Sequence, residues 1–123
     1  MAQQKIRSFT DLDAWKQAHQ LVLQVYEHTK NFPKEEQFGL TNQIRRAAVS
    51  VPSNIAEGFA RGTKADKTQF YRVALGSLAE LQSQLLIARD VQYLGNKEFM
   101  VTAEFSMVVR KLLNGLIKSA SNK

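Results

Sequence analysis

The chain has 123 residues, with 17 Lys+Arg against 11 Asp+Glu and a net charge of +6, so composition alone describes one basic globular domain. It is 44% hydrophobic and 23% charged, far from the composition of a disordered segment and long enough to bury a real core. The absence of cysteine excludes disulfide frameworks, Cys-ligated metal sites and thiol nucleophiles and fits a reducing, cytoplasmic setting. The first residues lack the apolar core of a signal peptide, and charges interrupt every apolar run, so neither export nor a membrane span is expected.

Pattern carries more than composition. The only prolines are Pro33 and Pro52, and the glycines punctuate the ends of periodic stretches, as in a helical protein. Thr10, with Asp13 three residues on, is a capping candidate for a first helix over about 11–30, with Phe9 at the staple position. Its apolar stripe is Ala14, Ala18, Leu21 and Val25. Pro33 and the acidic pair Glu35 and Glu36 open a second helix over about 34–61, whose stripe (Leu40, Ile44, Ala48, Val51, Ile55) crosses Pro52 in phase. That predicts one long helix kinked near Pro52, or two collinear pieces. Thr63 with Asp66 caps a third helix over about 64–92, ended by Gly95, and Asn96 opens a fourth over about 97–119. Four helices joined by short connections give an all-α, up-down-up-down antiparallel four-helix bundle, a single domain over residues 1–123.

Helices three and four are more apolar than a core stripe requires. Tyr71, Leu75, Leu86 and Leu113 are therefore read as an oligomer interface, the alternative being a wide core stripe on helices that are apolar nearly all round. Folding helices two and three back about residue 63 brings Arg46 level with Glu80, Asn54 level with Arg72, and Glu57 close to Gln69 and Tyr71. Arg46, Asn54, Glu57 and Glu80 are read as a partly buried polar network that fixes helix register; the sharper alternative is that they line a ligand or RNA site.

No catalytic or metal constellation is legible. His19 and His28 are nine residues apart, no Glu-x-x-His pair exists, and neither a phosphate-binding glycine loop nor a nucleophile elbow is present. The expectation is a protein without enzymatic activity, metal or cofactor. Positive charge gathers at Arg61, Lys64, Lys67 and Arg72 and again at Arg110, Lys111, Lys118 and Lys123. In an antiparallel bundle both groups fall toward one end, a basic pole suited to neutralising phosphates of RNA or DNA. The alternative is a scaffold whose apolar faces recruit a protein partner such as a polymerase, the charge being incidental.

The segments Phe9-Thr10-Asp11-Leu12, Phe38-Gly39-Leu40-Thr41, Gly76-Ser77-Leu78-Ala79-Glu80-Leu81 and, most specifically, Arg45-Arg46-Ala47 through Ser53-Asn54-Ile55-Ala56-Glu57-Gly58 together resemble the four-helix-bundle proteins encoded in 23S rRNA intervening sequences. The resemblance spans about residues 9–94. It implies a short up-down bundle that assembles as a homopentamer, a basic surface directed at nucleic acid, and no catalysis. That family is similar in fold to the accessory variability determinant of diversity-generating retroelements, a basic pentameric bundle that binds nucleic acid and a reverse transcriptase.

Overall fold

A computed structural model describes residues 5–121, which form four helices: α1 (Asp13–Thr29), α2 (Leu40–Phe59), α3 (Lys64–Asp90) and α4 (Asn96–Ser121). Each helix packs on the next and α4 returns to α1, so the bundle closes as a ring, and among the described residues the backbones of diagonally opposite helices do not approach one another. Hydrogen bonds between side chains fix the antiparallel registers: Ser50 to Ser77 between α2 and α3, Gln82 to Ser106 between α3 and α4, and His28 to Thr102 between α1 and α4. The fold is the expected up-down-up-down bundle.

The helix starts correct the sequence reading in two places. Ser8, not Thr10, opens the chain's first turn. Its hydroxyl accepts from the Thr10 N–H, and the Asp11 carboxylate accepts from the Arg7 and Ser8 N–H groups. Those two backbone donors hold the Asp11 carboxyl below its usual pKa. The short 3₁₀ turn Phe9–Asp11 packs the Phe9 ring edge-on to Trp15 at 5.3 Å, and α1 begins only at Asp13. Residues 34–61 likewise do not form one helix. A 3₁₀ turn, Lys34–Glu36, stops before Gly39, whose backbone is not helical. Glu36 then caps α2 by accepting from the Leu40 N–H at 3.0 Å. Of the acidic pair that signalled a helix start, Glu36 serves the helix that begins four residues later.

Helix α2 runs unbroken through Pro52, which is buried, so the two-piece alternative does not hold. Its far end is held by Lys67, whose ammonium donates to the Phe59 carbonyl at 2.6 Å and to the Gly58 carbonyl at 3.4 Å. Thr63 caps α3 through the Asp66 N–H, as the sequence indicated. Helix α3 ends at Asp90, and the reversal of the chain is made by Gln92 in the left-handed region (φ 69°) instead of by Gly95. Tyr93 and Leu94 send their N–H groups back to the Ala88 carbonyl, and the Tyr93 hydroxyl donates to Glu36. That bond, first, raises the Tyr93 pKa and ties the α3–α4 turn to the α1–α2 connection.

The core is a continuous apolar cluster along the bundle axis, including Leu21, Val25, Ile44, Ile55, Leu78, Leu81, Val109 and Leu113. Burying each such side chain contributes about 1.5–3 kcal/mol. Two proposed interface residues belong here: Tyr71 is 3% exposed and Leu113 0%. The wide apolar stripe on α3 and α4 is thus partly core width, because each helix faces two neighbours. Buried hydroxyls on α4 meet their needs locally and across the bundle. Thr102 donates to the Glu98 carbonyl and pairs with His28; Ser106 donates to the Ala103 carbonyl and accepts from Gln82.

Candidate nucleic-acid interface

The register that Gln82 and Ser106 set between α3 and α4 gives the level of every cation on these helices. Counting away from that pair puts Lys118 beside residue 70 and Arg110 beside residue 78. At 1.5 Å per residue Arg110 sits about 12 Å further along the bundle than Lys118, and roughly 20 Å from the start of α3. The seven cations therefore do not form one pole. Arg61, Lys64, Lys67 and Lys118 lie toward the end, Arg72 on the outer side of α3, and Arg110 with Lys111 near mid-bundle. Lys123 lies outside the described residues.

Two of the cations at the end have internal duties. Arg61 pairs with Glu57 at 2.8 Å and covers the Phe70 ring at 4.5 Å. Lys67 caps α2 and lies over the Phe59 ring at 5.2 Å. Replacing Lys67 by Met keeps the aliphatic stem and removes only the cap, so thermal unfolding should show a loss of about 1 kcal/mol with little change in any anion affinity. Arg72, Arg110, Lys111 and Lys118 are different. They are exposed, and among the described residues none is in an ion pair.

Arg110 and Lys111 border a shallow apolar groove of about 930 Å³ on the outer side of α4, lined by Val101, Phe105, Met107 and Val108, with Gln17 of α1 and Glu104 at its margin. Other exposed apolar side chains on α3 and α4 include Leu86 (42% exposed), Ile87 and Met100 (66%). Leu75 is half-buried. Of the four proposed interface residues, Leu75 and Leu86 are thus available at the surface and Tyr71 and Leu113 are not.

The predicted register network is smaller than expected: Ser50 and Ser77 bridge α2 and α3, and of the four predicted residues only Asn54 joins them. Arg46 and Glu80 border one groove between α2 and α3, so the hairpin places them as calculated, but both are exposed and form no ion pair among the described residues. Glu80 accepts from Gln84. Asn54 turns to its own helix, donating to the Ser50 carbonyl and hydroxyl, and makes no bond to Arg72. Glu57 pairs with Arg61, four residues further along its own segment, at 2.8 Å. Serines do the work that longer charged side chains were expected to do: Ser50 and Ser77 hydrogen-bond at 2.7 Å, a contact that side chains this short make only where the two helices run close together.

Sequence reasoning missed Arg45. Its Nε donates to Thr29 at 2.9 Å, and its guanidinium lies 4.6 Å from the centre of the Tyr26 ring. An Arg nineteen residues after a Tyr carries no local signal; only the α1–α2 register brings them together. His19 stacks on Trp15 at 4.8 Å and His28 is tied to Thr102, so neither histidine approaches the other. No group of three or more His, Asp or Glu side chains converges among the described residues. None of the described helices is long and apolar enough to cross a membrane.

The same fold is found in a Bacteroides thetaiotaomicron protein of the S23 ribosomal protein family, itself of unknown function. The two chains are 21% identical, superpose with a TM-score of 0.76, and the alignment covers 85% of this chain and 98% of that one. No curated protein matches significantly. The model of the 23S rRNA-intervening sequence proteins matches residues 10–115, which takes in α1, α2, α3 and α4 as far as Gly115, and all seven cations except Lys118. The chain belongs to the 23S rRNA-intervening sequence protein family.

Proposed function

We propose that this protein is a non-enzymatic, homo-oligomeric bundle that binds the backbone of RNA or DNA in the bacterial cytoplasm. The observation that supports it is the uncompensated charge of Arg72, Arg110, Lys111 and Lys118 on the outer sides of α3 and α4. Cations without carboxylate partners attract phosphates and release counterions on contact, with no need to read bases. Arg61, Lys64 and Lys67 add to the field at one end but are not its principal contacts. Self-association uses the exposed apolar side chains of the outer surface, Leu86 among them, with Leu75 at its edge. In the pentamer that the family resemblance implies, a chain of +6 becomes a particle of about +30, which turns modest patches into a strong attractor.

The test is the variant Arg72→Gln/Arg110→Gln/Lys111→Gln/Lys118→Gln. Its affinity for labelled RNA at near-physiological salt should fall at least tenfold, with its mass by light scattering unchanged. Equal binding by variant and wild type would overturn the assignment. A second reading rests on the apolar groove beside Arg110 and Lys111: a protein partner such as a polymerase occupies it, and the oligomer is a scaffold. Under that reading the charge variant binds RNA as before and loses the partner only when Val108 or Met107 is made acidic.

A further inference from the structure

The arginine that sequence reasoning missed stands in unusual surroundings. Arg45 is half-buried, yet among the described residues no carboxylate pairs with it. It is nevertheless held in place. Thr29, 2% exposed and anchored to the Val25 carbonyl at 2.8 Å, takes its Nε–H, while Tyr26 takes its planar face. The terminal amino groups of the guanidinium are left over. A partly desolvated cation costs stability unless an anion offsets it, and the described residues supply none.

The surroundings show what kind of anion would fit. Arg45 borders a groove of about 470 Å³ with Tyr26, Asn42, Arg46, Val49 and Ser50. Arg46, Asn42 and Ser50 also border the adjoining groove that reaches Ser77 and Glu80. The strip across α2 thus offers two guanidinium groups, an amide and hydroxyls, and residues 37–56 contain no acid at all. Glu80, which accepts from Gln84, lines the strip on the α3 side, and its negative charge makes the α1 side the more favourable place for an anion. There Tyr26, 40% exposed, supplies an aromatic ring beside the two arginines. Phosphate-binding guanidiniums next to an accessible ring are what a nucleotide with an unpaired base requires; in a duplex the base faces are already stacked and out of reach.

We infer that the Tyr26–Arg45–Arg46 groove is a nucleotide-binding site for single-stranded nucleic acid, with the phosphate on Arg45 and Arg46 and the base against Tyr26. The inference rests on the nucleic-acid reading above and adds to it a preference for single strands and a place where the strand is held. Arg45 is fixed before the ligand arrives, which lowers the entropy lost on binding.

The test compares wild type with Tyr26→Leu and Arg46→Gln, both at exposed positions, using an oligoribonucleotide, its DNA counterpart and the matching duplexes. Circular dichroism of each variant should match wild type. Each substitution should weaken single-strand binding about tenfold and leave duplex binding within twofold. A strand carrying 5-iodouridine should cross-link on irradiation to a peptide containing Tyr26, identified by mass spectrometry. The RNA and DNA arms assign the sugar. Wild type that binds single strands and duplexes equally, with both variants unchanged and no cross-link at Tyr26, overturns this site and leaves the backbone-binding reading intact. Wild type that binds none of the four probes overturns both.

Discussion

Replacing Gly58 by Val should lower the stability of the protein by about 2–3 kcal/mol, the cost of forcing side-chain carbons into a filled site. A Cβ at position 58 would lie 2.7 Å from Tyr71 Cε1, 2.9 Å from Cδ1 and 3.1 Å from Phe70 Cβ. The Tyr71 ring is rigid and buried, so it cannot swing into solvent, and relief requires α2 and α3 to separate. Helix propensity works in the opposite direction, since glycine is the poorer helix former by a few tenths of a kcal/mol, but the steric term is several times larger. Gly76 on α3 is the control: a Cβ there meets nothing within 4 Å. Gly76→Ala should stabilise the chain by about 0.5–1 kcal/mol. Urea titrations of the two variants read both signs, and equal midpoints for Gly58→Val and wild type would contradict the close approach of the helices.

Leu113 and Leu86 should part company under the same substitution. Leu113→Ala opens a cavity at a fully buried position and should cost about 2–5 kcal/mol. Leu86→Ala removes a half-exposed side chain and should stay within about 0.5 kcal/mol. An acidic residue at 86 is expected to lower the assembled mass in sedimentation while the helical signal persists. If Leu86→Asp leaves the mass unchanged, the assembly surface lies elsewhere.

These two leucines mark where the sequence was legible and where it was not. Spacing at three and four residues found every helix, because amphipathic stripes are local, and the hairpin reflection brought residues 50 and 77 within one position of their true partners. What spacing could not tell is how much of an apolar face the bundle itself uses. In a ring of four, a helix buries two flanks as well as its centre, so Tyr71 and Leu113 read as surplus and prove to be core. The helix starts failed for a different reason. Ser8/Asp11 and Thr10/Asp13 are near-equivalent capping pairs, and only the packing of Phe9 on Trp15 decides between them.

The candidate site was less legible than the fold, since charge in a sequence does not reveal its partner. Arg61 and Lys67 looked as available as Arg72, yet one is paired with Glu57 and the other caps α2. The level of a cation along the bundle is also invisible without helix register, so Arg110 and Lys111 seemed to belong to a pole from which they are well separated. Conversely Arg45 looked like a neighbour of Arg46 with nothing to distinguish it, and its fixed, uncompensated guanidinium appears only when α1 is packed beside α2.

The measurement that bears most directly on the nucleic-acid reading is the salt dependence of wild-type binding to single-stranded RNA, followed by fluorescence anisotropy. Four phosphate contacts per chain from Arg72, Arg110, Lys111 and Lys118 predict that the logarithm of the association constant falls with the logarithm of salt concentration with a slope of magnitude about 3 or more. Contacts at Arg45 and Arg46 would steepen it further. A slope near zero, or no binding at near-physiological salt, would contradict the account and leave the cations as solvated surface.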